Sequence, residues 1–211
     1  MSKFFRGTGV VLILLYSCSK DKPILEPRSV VPDYTPMSVG SYWVYDWYSV
    51  DTLGNEWPIG LTDSVYIAGD TIIGNDTFAI RVGTWYFASQ PFREYWRDSA
   101  GYLVNPWGGI SFSATNFTDT LYMSNMGQVK KYRVMRDIGE VVTVPVGTFR
   151  TLNAAYVWEK LDGVWDNCVG PYDIHDFQYA ENVGMVRTSL QFTNGSCVVQ
   201  EGRLRSYFIA P

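Results

Sequence analysis

Thr71-Ile72-Ile73-Gly74-Asn75-Asp76-Thr77-Phe78-Ala79-Ile80-Arg81-Val82 sets two runs rich in β-branched and apolar residues on either side of a Gly-Asn pair. Such residues fit a pleated, half-buried surface, and Gly supplies the positive φ that a two-residue hairpin turn demands. The stretch predicts strand, tight turn, strand. The same signal recurs along the chain. Phe92–Arg97, a turn at Asp98-Ser99-Ala100-Gly101 and Tyr102-Leu103-Val104 predict a second hairpin. Val129–Met135, a turn around Asp137-Ile138-Gly139 and Val141–Val144 predict a third. Phe149–Leu161 turns at Asp162-Gly163, and Met185–Phe192 turns at Asn194-Gly195 into Cys197–Phe208. No window offers a convincing helical stripe at i, i+3, i+4 and i+7, so helices are not expected.

Ahead of these hairpins, Gly40 precedes Ser41-Tyr42-Trp43-Val44-Tyr45-Asp46-Trp47-Tyr48. Side chains alternate across a strand, so Trp43, Tyr45 and Trp47 share one face while Asp46 lies on the other with Val44 and Tyr48. About ten strands joined mostly to their neighbours give an all-β fold, a single antiparallel meander. It would form a curved sheet or an up-and-down barrel, lipocalin-like or half-closed by analogy. Asn105–Met126 and Asp166–Asn182 read instead as long loops or irregular strand pairs.

The chain begins with Lys3 and Arg6, an apolar run from Val10 to Tyr16, and Ser17 before Cys18. Positive, apolar, then small is the order of a secretory signal, here residues 1–17, whose cleavage leaves Cys18 first. A spanning helix needs about 20 apolar residues, more than this run has. Leu15-Tyr16-Ser17-Cys18 resembles the lipobox of bacterial lipoproteins. The resemblance implies a diacylglycerol on the Cys18 thiol and an acyl chain on the new amino terminus. Residues 18–36, with Pro23, Pro27, Pro32 and Pro36, read as a lipidated tether. Residues 37–211 read as the antiparallel β domain. Ser19-Lys20-Asp21 resembles the tag that sends such lipoproteins to the cell surface, and Lys22 stands where a second acid is expected. The expected location is the outer membrane, with the periplasmic or the surface face left open.

The formal charge is −4, and losing Lys3 and Arg6 with the signal makes it −6. Phosphate contacts need concentrated positive charge, so nucleic acid is not an expected partner, nor is a polybasic grip on anionic lipid. Cys168 and Cys197 remain after the signal. An even pair in an oxidising compartment reads as a disulfide, against a two-Cys metal site or two buried thiols.

Chemistry-bearing motifs are sparse. Asp173-Ile174-His175-Asp176 holds the chain's one histidine, and one His with two Asp is incomplete as a metal or acid–base site. No Gly-x-Ser-x-Gly elbow or phosphate-cradling Gly loop occurs. No catalytic residue, metal ligand or cofactor is assigned. A carboxylate pair needs no local motif, so an envelope hydrolase using such a pair or His175 is the alternative, beside a purely structural or protein-interaction role. Aromatic residues are the stronger lead. Trp85 (in Trp85-Tyr86-Phe87), Trp96 (after Tyr95) and Trp107 are candidates for stacking on a glycan or lining an apolar cavity. Their competing reading is core, since aromatics dominate β interiors. The expectation is a binding protein rather than an enzyme, with an apolar molecule, a glycan or an envelope protein as partner.

Four stretches carry a family resemblance: Thr71-Ile72-Ile73-Gly74-Asn75-Asp76-Thr77-Phe78, Arg97-Asp98-Ser99-Ala100-Gly101-Tyr102-Leu103, Val144-Pro145-Val146-Gly147-Thr148-Phe149 and Tyr179-Ala180-Glu181-Asn182-Val183-Gly184-Met185-Val186. They resemble envelope lipoproteins of the Bacteroidota that have no assigned activity. The motifs are mostly turn chemistry: Gly147 and Gly184 are expected at backbone angles closed to other residues, and Pro145 at a strand end. The resemblance implies an envelope protein and carries over no binding residue except Cys18.

Two outcomes are expected. Cys18→Ser shifts the protein out of the membrane fraction, and mass spectrometry of the wild-type N-terminal peptide finds acyl chains on Cys18; an unmodified Cys18 in mature protein contradicts this. Cys197→Ala lowers stability by about 3 to 4 kcal/mol, the loop-closure value for a ring of this size. Reductant has a similar effect on the wild type, and alkylation of both thiols in native, unreduced protein would show the bridge absent.

Overall fold

The computed structural model describes residues 33–85, 90–163, 172–191 and 197–211. Cys18, Cys168, Tyr86, Phe87 and the Asn194-Gly195 turn lie outside the described residues. The described chain holds no helix, and its strands are β1 (Tyr42–Val50), β2 (Glu56–Ile73), β3 (Asp76–Gly83), β4 (Phe92–Ser99), β5 (Tyr102–Val104), β6 (Ile110–Ser113), β7 (Thr120–Met126), β8 (Val129–Val144), β9 (Gly147–Lys160), β10 (Tyr172–His175), β11 (Phe177–Ala180), β12 (Gly184–Gln191) and β13 (Val199–Phe208).

Every pairing is antiparallel, in the order β6-β5-β4-β3-β2-β1-β13-β12-β11-β9-β8-β7, with β10 on the far half of β9. The first strand therefore pairs with the last. Because β6 and β7 are also neighbours in space, the meander curls into a ring of strands left open at one seam. The all-β meander expected from the sequence is thus the fold, nearly closed into a barrel.

The hairpin that opened the reading is present with Ile73 opposite Asp76 and Gly74 at φ 65°, the first turn position of a type II′ hairpin. Ser99 faces Tyr102 across Ala100 and Gly101, whose φ of 55° and 85° suit a type I′ turn. On β1, Trp43, Tyr45 and Trp47 are buried on one face and Asp46 lies on the other, as alternation requires.

The third expected hairpin is corrected. Asp137-Ile138-Gly139 does not reverse the chain; β8 runs through it as one strand against β9. Arg136 faces Asn153 and Glu140 faces Thr151, so the three residues oppose Leu152 alone, a bulge larger than the usual two-against-one. Asp137 (φ 48°) and Gly139 (φ 82°) take the positive angles that also mark turns. The true reversal lies at Pro145-Val146, with Val144 opposite Gly147. This tip leans on the opposite wall: the Val146 N–H donates to the Leu204 carbonyl (3.3 Å), and Val142 and Val144 join the core with Leu204 and Val186. The stretches expected to be long loops or irregular strand pairs contain two strands each, β6 and β7 in the first and β10 and β11 in the described part of the second.

Two apolar clusters fill the interior. One gathers Trp43, Tyr45, Val65, Ile67 and Val186; the other gathers Leu103, Phe112, Met135, Leu152 and Ala154. Met37 and Tyr179 touch both. Tyr34 already packs on Phe112 (5.8 Å between rings), and the Asn182 N–H donates to the Asp33 carbonyl (2.6 Å), so ordered packing begins ahead of Met37. From β1 the Trp43 Nε1–H donates to the Val183 carbonyl (2.6 Å), the Tyr45 hydroxyl to the Met185 carbonyl (2.8 Å) and the Trp47 Nε1–H to Asp63 Oδ2 (2.6 Å). Gly184, at φ 94°, lies between the first two acceptors, and a Cβ there would come within 3.1 Å of Trp43 Nε1.

Tyr45→Phe leaves the buried Met185 carbonyl without its partner and is expected to cost about 1 to 3 kcal/mol. In urea unfolding the midpoint falls while the slope stays constant. An unchanged midpoint contradicts the importance of this bond.

Candidate binding cavity

Between the two clusters the ring encloses a cavity of about 490 Å³, inside the range of roughly 300–1,000 Å³ usual for small-molecule sites. Its wall draws on most of the strands, from Trp43 and Tyr45 on β1 round to Phe177 on β11 and Met185 on β12. All three tryptophans singled out in the sequence, Trp85, Trp96 and Trp107, line it. Pattern on a single chain signalled the residue type; curling of the sheet brings the three positions together.

Each tryptophan is held differently. Trp96 stands on β4 and donates its Nε1–H to Glu94 Oε2 (3.0 Å), the oxygen that also accepts from Arg81 Nη1 (2.9 Å). Trp85 packs its ring against Phe92 (5.5 Å), with the Arg81 guanidinium 5.8 Å from its centroid. Trp107, 86% exposed, sits on the loop between β5 and β6. Asn105 shapes that loop: its side-chain Oδ1 accepts from the Trp107 and Gly109 N–H groups (3.0 and 2.8 Å). Trp107 therefore marks the mouth.

The opposite extreme is Arg133 on β8, 4% exposed and also on the cavity wall. Its guanidinium lies over the rings of Tyr156 (3.8 Å) and Phe177 (4.9 Å). Its Nε has no hydrogen-bond partner, and among the described residues no carboxylate forms an ion pair with it. Burial lowers its proton affinity below the usual arginine range, opposed by the Tyr156 and Tyr179 phenols and by Glu94. An arginine nevertheless stays charged at neutral pH. Stacking on aromatics returns about 0.5–2 kcal/mol, less than the several kcal/mol that an uncompensated buried ion costs. Lys131, two residues back on the same face, stacks on Tyr156 (4.1 Å) and Trp158 (4.4 Å). Burial, and then the charge of Arg133, hold its ammonium below the usual lysine range. Three arginines (Arg81, Arg93, Arg133) but one carboxylate, Glu94, line the cavity, in a chain whose net charge is −4.

Sequence reading missed Arg133. Its one available signal is phase, since Lys131, Arg133 and Met135 share a strand face and Met135 is core.

The Asp-Ile-His-Asp motif is placed elsewhere. Asp176 accepts hydrogen bonds from Asn153 Nδ2 (2.7 Å) and Ser189 Oγ (3.2 Å), while Asn153 Nδ2 also donates to Asp137 (3.1 Å). That ties β11 and β12 to the β8 bulge. The His175 ring lies 6.1 Å from that of Trp158 and is not on the cavity wall. The described residues contain no group of three or more His, Cys, Asp or Glu placed to hold a metal. Cys197 is described and exposed, whereas Cys168 lies outside the described residues.

No protein-family model matches the chain, and no curated protein is similar to it. Two solved structures are. One is a candidate exported protein with a YmcC-like fold from Bacteroides fragilis, at 14% identity and TM-score 0.48, covering 84% of this chain and 99% of that one. The other is a candidate lipoprotein from Parabacteroides distasonis, at 14% identity and TM-score 0.44, with the same coverage of 84% and 99%.

Proposed function

We propose that the protein is a binding protein of the cell envelope, anchored in the outer membrane by lipid on Cys18, whose ligand occupies the cavity inside the strand ring. The observation that carries this reading is the convergence of Trp85, Trp96 and Trp107 on one hollow. A ligand there would stack on flat aromatic faces at the mouth and lose apolar surface to water further in, at about 25 cal/mol per Å². Apolar molecules and glycans both suit such a wall. Binding is favoured over turnover because Glu94, the one carboxylate on the described wall, is already held by Arg81 and Trp96, and His175 lies outside it. The lipobox-like segment before Cys18 supports the anchor.

The test uses N-phenyl-1-naphthylamine, an uncharged apolar dye that brightens out of water, with a panel of soluble oligosaccharides read by tryptophan quenching. Trp96→Ala and Trp107→Ala are each expected to weaken the response about 3- to 10-fold, the worth of an aromatic contact. His175→Ala leaves it unchanged. Loss of the response in His175→Ala with the tryptophan variants unaffected would place the site elsewhere.

A further inference from the structure

Resting on that reading of the cavity, we infer that its ligand is an anionic amphiphile: an apolar chain lying along the tryptophans, and a carboxylate or phosphate head docked on Arg133.

Two independent observations converge. The first is shape and lining. The cavity is wide enough for a small ligand and mostly apolar, and its lining runs from the exposed Trp107 to the buried Arg133. The second is a buried charge with no ion-pair partner among the described residues, Glu94 acting on it only from beyond contact distance. Arg133 is almost wholly buried, its Nε is unpartnered, and its guanidinium lies over the rings of Tyr156 and Phe177. Buried arginines are ordinarily matched by a carboxylate or phosphate, whose paired oxygens fit the guanidinium fork. Arg81, on the same wall, shows the matched state through Glu94. Arg133 lacks a counterpart, so the missing anion is supplied by the ligand.

Charge and polarity fix the ligand's direction. Lys131 shares the Tyr156 ring with Arg133 and adds a second positive group beside it, which strengthens the pull on an anionic head there. The head enters first and the apolar tail trails past Trp96 and Trp85 toward Trp107. A glycan without acidic groups would fill the mouth but leave the guanidinium unpaired. A cationic amphiphile would be repelled.

The experiment compares dodecanoate, dodecyl phosphate, dodecanol and dodecylammonium, each below its micelle concentration, by calorimetric titration into the purified protein. One or both acids are expected to bind at least about tenfold more tightly than dodecanol, as a charge-assisted bidentate contact gives, with dodecylammonium weakest. The tighter acid identifies the head. In Arg133→Met, which removes the charge at similar bulk, the preference for the acids over dodecanol disappears while dodecanol binding persists. Arg133→Lys keeps part of the preference, and Arg133→Gln substitutes if the Met variant does not fold. Equal affinity of acids and alcohol for the wild type, or an acid preference that survives in Arg133→Met, overturns the anion proposal and leaves the cavity reading standing. Failure of all four amphiphiles to bind also overturns it; the cavity reading falls with it only if dye and oligosaccharides give no response either.

Discussion

The molecule depends on β1 being paired along its whole length on both sides. Tyr42 to Val50 face β13 from Phe208 back to Val199 and β2 from Tyr66 back to Glu56. Pairing the first strand with the last turns an open meander into a ring, and only a ring has an inside. The same strand supplies that inside with Trp43, Tyr45 and Trp47, whose N–H and O–H groups reach carbonyls at the start of β12 and the Asp63 carboxylate. Backbone ladder and side-chain bonds thus fix one wall, against which the bulged tip of β8 and β9 can lean. Closing such distant contacts has an entropic cost and makes folding slow compared with local hairpins.

Within that ring the interior is divided. Close packing of Val65, Ile67, Val186 and Leu204 fills one part, and Leu103, Phe112, Met135 and Ala154 fill another. The space between has large aromatic residues on its wall and, among its lining residues, a buried cation. Natural cores seldom leave apolar volume empty or a charge unmatched, because each lowers stability. Here both occur at one place, so this part of the interior contributes less to stability than the two packed clusters beside it.

Local chemistry made several hairpins legible: Gly74-Asn75 and Ala100-Gly101 need positive φ, and the alternation of β1 follows from a period of two. Asp137-Ile138-Gly139 was misread because a bulge and a turn use the same backbone angles. Only the partner strand distinguishes them, and β9 is not local. β6, β10 and β11, three or four pairs long, carry too few residues for a pattern to rise above their loops. The three tryptophans were legible as residues but not as neighbours, since their meeting is a property of sheet curvature. Arg133 carried no signal of its own; its burial follows from the rings of Tyr156, opposite it on β9, and Phe177, one strand further on β11, information that pairing alone creates.

The seam has a kinetic consequence. In the sheet β6 is bonded to β5 alone, and β5 and β6 are only three and four residues long, so this hairpin is held by few ladder bonds. Segments so held open locally at lower free energy than the whole fold. The same hairpin contributes Leu103 and Ser111 to the cavity wall and carries Trp107 on its loop. Its opening would lift Leu103 and Phe112 from the second cluster and widen the mouth while the β1 wall stays shut, so exchange between cavity and solvent would follow the frequency of that opening rather than the unfolding rate of the protein.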